Sequence, residues 1–252
     1  MAQEHEVDVW TTRLFNDYLA APLTNFLTAI GHPPARPEHP WENWITMELL
    51  VVAIILILFA FLRPRLSADK PGKLQLIFEA IYSFVSGQAE EGIGHGHEKY
   101  LSFAGTLFIF ILFMNLIGII PGFESPTMTS AVTAGLAVSV FFYYNYMGMR
   151  AHGVGKYLAH FAGPMPALAP LMIPIEIISH LARPLSLTIR LYANMFAGEQ
   201  VTMAFLGLSY LVLPAVFMGL HTFVSFLQAF IFMLLTIMYV GSAVSHESEE
   251  GH

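Results

Sequence analysis

The sequence predicts an all-α polytopic membrane protein: one N-terminal span, an interfacial amphipathic helix, a transmembrane hairpin, and two long, steeply tilted or near-horizontal membrane helices forming a C-terminal hairpin. Composition is the first reason: 56% of the 252 residues are hydrophobic and 12% are charged, about half the charged share of a soluble domain. Mean hydropathy, the second, is +0.61. The third is a series of apolar runs that reach or exceed the ~20 residues needed to cross a hydrocarbon core. So few polar groups cannot cover a soluble domain of this size, which excludes an ordinary soluble enzyme.

Charge and cysteine usage narrow the class further. Eleven Lys and Arg stand against 18 Asp and Glu, a formal charge of −7, so no basic face for nucleic acid can be assembled. Cysteine is absent, which excludes disulfides, thiolate metal sites and iron–sulfur clusters. Glu4, Glu6, Asp8, Arg13 and Asp17 interrupt the first twenty residues, so no cleavable signal peptide of the usual form is expected. Residues 1–40 are expected to be an N-terminal extracytoplasmic segment and residues 41–252 a single membrane domain.

The first span, about 44–62, is broken only by Glu48. Arg63, Arg65, Lys70, Lys73 and Lys99 follow it, and by the positive-inside rule this segment is cytoplasmic, leaving the N-terminus outside. Residues 74–89 carry apolar residues at helical spacing with Glu79, Ser83 and Gln88, the pattern of a helix lying in the interface. Runs at about 103–120 and 129–149 are joined by PGFESPTM, a turn with no basic residue, and form an outward-facing hairpin. Arg150 and Lys156 then mark the return to the cytoplasm.

The last ninety or so residues hold apolar sequence over about 167–206 and 214–244. Forty helical residues would extend roughly 60 Å, twice the hydrocarbon thickness. The helix must therefore tilt steeply or lie along the membrane, or it breaks at Pro170, Pro174 or Pro184. A turn near Gly207 to Leu213 makes the two segments an antiparallel pair, and the acidic tail HESEEGH returns to the cytoplasmic side. No soluble domain and no internal repeat is evident.

Ionisable groups inside these segments cost about 2.5 to 3.5 kcal/mol each on insertion scales, so their presence points to function. The first segment holds Glu176, His180, Arg183, Arg190, Asn194 and Glu199. At about 100° per residue, Glu176, Arg183 and Arg190 share a stripe about 40° wide, with Ser179, Ser186 and Asn194 beside it. Glu199 falls on the opposite face. Polar groups at different heights and on different sides suit two separate partial pathways rather than one pore. The second segment adds His221, Ser225 and Gln228 on one face. Facing residues of antiparallel helices keep a nearly constant number total, and one register levels both Arg190 with Gln228 and Glu199 with His221.

Simpler roles are open for several of these. Arg183 beside Pro184 also fits a snorkelling anchor, and Glu176 can neutralise it. His180 also fits a packed or interfacial histidine. Asn115 fits an interhelical hydrogen bond, the commoner role of an intramembrane Asn. His95 and His97 lack a companion at ligand spacing, so no metal site is expected. For Arg190 the simple role is weakest, because a mid-segment guanidinium without a nearby acid needs a counter-charge from elsewhere.

RPLSLTIRLYANMFAGE, from Arg183 to Glu199, and HTFVSFLQAFIFMLLTIMYV, from His221 to Val240, together with FMNLIGIIPG and the tryptophans entering the first span, resemble the subunit a family of F-type ATP synthases. The resemblance covers about residues 40 to 246; the acidic extension and missing transit peptide look bacterial, which implies the bacterial inner membrane. It implies a stator component that catalyses no bond chemistry, needs no cofactor or metal, and conducts protons. Its implied partners are a rotating ring of c subunits, each with one membrane carboxylate, the peripheral-stalk b subunits, the remainder of the synthase, and lipid. Arg190 matches the family's essential arginine, and Glu199 and His221 its paired polar positions in the outer half-channel. Glu176 matches a carboxylate of the inner half-channel. Asn194 and Gln228 match polar positions beside the arginine, and Asn115 a channel-lining asparagine. His180, Arg183, Glu124 and Ser186 are secondary candidates. Some relatives carry an acid where this chain has Gly118, which shifts the outer path toward Glu199, His221, water and Glu124.

Two other readings compete. A secondary transporter could hold an anionic substrate near Arg190, although such folds show repeats that are missing here. A quinone- or haem-binding respiratory subunit would need His180 and His221 as its axial pair.

Overall fold

A computed structural model describes residues 9–31, 34, 39–67, 69–120, 122–160, 169–206 and 212–244. Residues 207–211 of the expected turn, residues 167–168 of the first long segment and the acidic tail lie outside the described residues. Within them the regular structure is helical: α1 (Trp10–Ala29), α2 (Asn43–Leu62), α3 (Lys73–Ile93), α4 (Glu98–Ile117), α5 (Ser130–His152), α6 (Val154–His160), α7 (Ala169–Leu206) and α8 (Val212–Val244), with short 3₁₀ turns at Arg63–Arg65 and Pro126–Met128. Three helices are long and apolar enough to cross a membrane: Asn43–Arg65, Glu98–Ile117 and Ala215–Val244. The run expected at 129–149 forms α5 but falls outside that set, because Thr133, Ser139 and the polar stretch Tyr143–Tyr146 dilute it.

Leu56, Ile57 and Phe61 of α2 are exposed, an arrangement suited to lipid rather than to water. α4 instead buries Leu101, Ala104, Phe108, Ile111 and Asn115 at three- and four-residue spacing, one helical face. It begins five residues before the expected run, where Glu98 in its first turn suits the positive end of the helix dipole.

α8 is the hub. Its stripe of Ser225, Ala229, Phe232, Met233, Thr236, Ile237 and Val240 is buried against α3, α4, α5 and α7. α3 is therefore more than the expected interfacial helix. Although Leu74, Ile77 and Tyr82 are exposed, its C-terminal part extends to Ile93 and crosses α8 where Gly241 meets the carbonyl of Gly92. Only small residues let two helix backbones approach so closely.

α7 runs unbroken for 38 residues through Pro174 and Pro184, a length of roughly 57 Å. Each proline removes one backbone donor, yet α5 and α8 both pack along the helix and hold it continuous. Pro170 sits at its second position, where a missing N–H is harmless.

α1 lies in a segment where no helix was expected, although Trp10, Leu14, Tyr18, Leu19, Leu23 and Phe26 recur at helical spacing. Its N-terminal half is tied to α2 by polar contacts: Val9 N–H donates to Asn43 Oδ1 at 3.1 Å and the hydroxyls of Thr12 and Thr46 lie 2.6 Å apart. The Asn16 side chain both donates to and accepts from the Trp41 backbone.

Candidate functional site

α7 and α8 form the expected antiparallel pair. Phe205 stacks on Phe217 at 4.2 Å between centroids, His221 packs on Gly198, and the Arg183 guanidinium lies 5.2 Å from the Tyr239 ring. These three contacts keep a nearly constant total of residue numbers along the hairpin, the register that levels Arg190 with Gln228 and Glu199 with His221.

Glu199 and His221 line one cavity of about 370 Å³. The other walls come from Gly118, Ile119, Ile120, Gly122 and Phe123 after α4, and from Thr202, Met203 and Met218. An apolar chamber with a few converging polar groups is the form of a functional pocket. Glu124 is half-buried and lies within electrostatic reach of Glu199. At Gly118 an added Cβ would sit 2.9 Å from the Ser125 backbone nitrogen. The loop crosses too closely for a side chain there.

Arg190 is half-buried on α7. Its Nη2 donates to Ser186 Oγ at 3.3 Å, and among the described residues no carboxylate pairs with it. Asn194, one turn on, is exposed, as are Leu185, Ile189 and Phe196, so the arginine borders an uncovered apolar helix face. Gln228 is buried on α8.

Asn115 is fully buried and takes the interhelical role. Its amide donates to the Ser225 carbonyl at 3.2 Å, and its oxygen accepts the Thr127 hydroxyl at 2.7 Å. Ser125 continues the chain, 2.7 Å from Thr127 and donating to the Met114 carbonyl. Ser125 and Thr127 read in sequence as an ordinary polar turn, yet both are buried.

A second cluster lies toward the other end of α7. The Asn145 amide donates to the Phe141 carbonyl at 2.7 Å, which aims Oδ1 at the Tyr157 hydroxyl, 2.9 Å away, and at His180 Nε2, 2.8 Å away. An acceptor there places the proton of neutral His180 on Nε2; the Tyr144 hydroxyl lies 3.1 Å from the same atom. Arg183 lies over the rings of Tyr144 and Tyr239, a cation–π arrangement, rather than in an ion pair with Glu176. Glu176 is half-buried on the same helix. Asn145, a polar residue inside an apolar run, was the sequence signal for this cluster.

His180 and His221 occupy different levels. His221 meets Gly198, eighteen residues along α7 from His180, or roughly 27 Å, so the two cannot ligate one haem. The described residues hold no group of three or more His, Asp or Glu able to bind a metal. His97 is engaged at the α3–α4 turn, 3.4 Å from Ser86 Oγ and 3.1 Å from the Gly94 carbonyl.

The fold and site define a class: an all-helical membrane protein whose ionisable groups are gathered along one long antiparallel helix pair. The chain belongs to the ATP synthase A chain family, whose model matches residues 45–241. It is similar to ATP synthase subunit a of Solibacter usitatus (strain Ellin6076), 65% identical over 234 residues, covering 93% of this chain and 100% of the relative. ATP synthase subunit a of Koribacter versatilis (strain Ellin345) is 49% identical over 238 residues, covering 94% and 97%. The protein of that name from Sulfurihydrogenibium sp. (strain YO3AOP1) is 38% identical over 205 residues, covering 81% and 98%.

Proposed function

We propose that this chain is the proton-conducting stator subunit of a rotary ATP synthase, catalysing no bond chemistry itself and presenting two offset half-channels to a ring of c-subunit carboxylates. The observation that carries the reading is Arg190: half-buried, without a carboxylate among the described residues, and beside an exposed apolar face of α7. The ring supplies the missing counter-charge. At about 4 Å and an effective dielectric near 20, a unit charge pair gains about 4 kcal/mol, which favours the ionised carboxylate by about three powers of ten. A proton arriving at Arg190 is thus released, and the fixed charge blocks a direct leak between the half-channels. Lysine, which deprotonates readily when buried, is a poor substitute.

The outer half-channel is the cavity of Glu199 and His221, with Glu124 at its mouth; an imidazole can both take up and release a proton. Gln228 and Asn194 flank the arginine, Asn115 braces α4 against α8 beside the path, and Ser186 orients Arg190. The inner half-channel starts at Glu176 with His180 and Arg183 beside it. Protons rather than sodium suit the Glu199–His221 pair, which lacks the extra oxygen ligands a desolvated cation wants.

Basic residues after α2 and at the end of α5 support a multi-pass arrangement in a bacterial inner membrane with α2, α4 and α5 crossing, the N-terminus outside and the C-terminus in the cytoplasm. Residues 1–40 form the extracytoplasmic segment and 41–252 one membrane domain. The peripheral-stalk b subunits and the remaining synthase subunits complete the assembly.

Disulfide trapping tests the docking. The chain has no cysteine, so Ile189→Cys provides a single thiol beside Arg190. The reading predicts a cross-link to a cysteine placed next to the ring carboxylate. Failure to cross-link in complexes that pump normally would contradict it.

A further inference from the structure

The N-terminal helix reaches the cavity wall through an aromatic contact. The ring of Trp10 stands edge-on to that of Phe123, 5.9 Å between centroids and 79° between planes. Phe123 is a wall of the cavity that holds Glu199 and His221, whereas Trp10 does not line it. Trp10 is otherwise 59% exposed. Phe123 lies in the irregular segment between α4 and α5, with one turn bond from its N–H to the Ile120 carbonyl.

The α1 side of this contact is firmly fixed. Val9, Thr12 and Asn16 make four hydrogen bonds to Trp41, Asn43 and Thr46, spaced along the first turns of α1 and the approach to α2. Phe15 meets the Trp41 ring edge-on at 5.3 Å, and Trp41 Nε1 donates to the Leu19 carbonyl at 3.2 Å. α2 in turn packs against the 3₁₀ turn Pro126–Met128, so both ends of the Trp10–Phe123 contact share one foundation. A surface helix that merely trailed from the first span would need no such ladder.

We propose that α1 is a positioning element for the mouth of the Glu199/His221 cavity, with Trp10 as the positioning residue that holds Phe123 in the cavity wall. The proposal rests on that cavity being the water-accessible outer half-channel. α1 precedes the segment matched by the family model, so this would be a device added to the shared core.

Thr202 lines the cavity, and the cysteine-free background makes Thr202→Cys a specific reporter. In right-side-out vesicles holding the whole synthase, its modification by a small membrane-impermeant methanethiosulfonate is followed per assembled complex. Trp10→Ala is expected to speed labelling about threefold or more, the order set by loss of one aromatic contact. Trp10→Phe should return the rate toward the parental value. Thr12→Val, which breaks the ladder and keeps the tryptophan, should speed labelling as well. Unchanged rates in both Trp10→Ala and Thr12→Val would overturn the proposal and leave the half-channel reading intact. No labelling of Thr202→Cys in the parental background would instead contradict the half-channel itself, and the proposal with it.

Discussion

His221 Nδ1 lies 2.5 Å from where a Cβ on Gly198 would stand. The imidazole therefore occupies the space that a side chain at Gly198 would take, which fixes it beside Glu199 in the same cavity. Gly198→Ala should displace the ring and reduce ATP-driven proton pumping about tenfold, the effect of a coupling near 1.4 kcal/mol. The double variant Gly198→Ala/His221→Ala should pump no worse than His221→Ala alone. Strict additivity of the two defects in vesicle acidification would show that the glycine acts elsewhere.

Gly241 sets the crossing of α3 and α8. A methyl group there would overlap the Gly92 carbonyl, and backbone cannot move aside as a side-chain tip can. Gly241→Ala should sharply lower the amount of the chain recovered in assembled synthase. Gly87 of α3 has open space around its Cβ direction, so Gly87→Ala should be tolerated and slightly favourable through helix propensity. Immunoblots of purified complex compare the two.

Asn145 accepts from both His180 and Tyr157. Asn145→Leu leaves these buried donors without that acceptor, at a cost of about 1 to 3 kcal/mol each. The temperature at which the chain dissociates from detergent-solubilised synthase should fall. Tyr157→Phe removes one donor and should cost about 1 kcal/mol, giving the smaller shift.

Gly118 meets the Ser125 backbone. Gly118→Asp should therefore reduce pumping, even though it adds a carboxylate to the cavity wall. The loss should be partly recovered by changes that loosen the loop near Ser125. An unimpaired Gly118→Asp strain, measured by vesicle acidification, would show that the loop yields easily.

Much of the hairpin was legible in the sequence because its physics is one-dimensional. Arg190, Glu199, His221 and Gln228 are costly in an apolar run, and antiparallel helices tie their levels to residue numbers. The observed contacts of His221 with Gly198 and Phe205 with Phe217 follow that register. What escaped depended on contacts between distant segments. Asn145 was visible as a polar residue in an apolar run, but its partners His180 and Tyr157 come from other helices. Ser125 and Thr127 belong to a segment that reads only as a turn, and their burial comes from α2, α4, α5 and α7 packing around it. α3 resembled an interfacial helix because its closest approach to α8 is made by Gly92 and Gly241, which leave no apolar signature. α1 spaces its apolar residues as a helix does, but its join to α2 is made by hydroxyls and an amide, which apolar spacing does not disclose.

The central claim is that Arg190 controls proton passage between the two half-channels. Its most direct test is ATP-driven acidification of inverted membrane vesicles, comparing the parental chain with Arg190→Ala at matched assembly and matched uncoupled ATP hydrolysis by the detached catalytic sector. The account predicts that pumping is lost in the variant. Undiminished pumping by Arg190→Ala would contradict it.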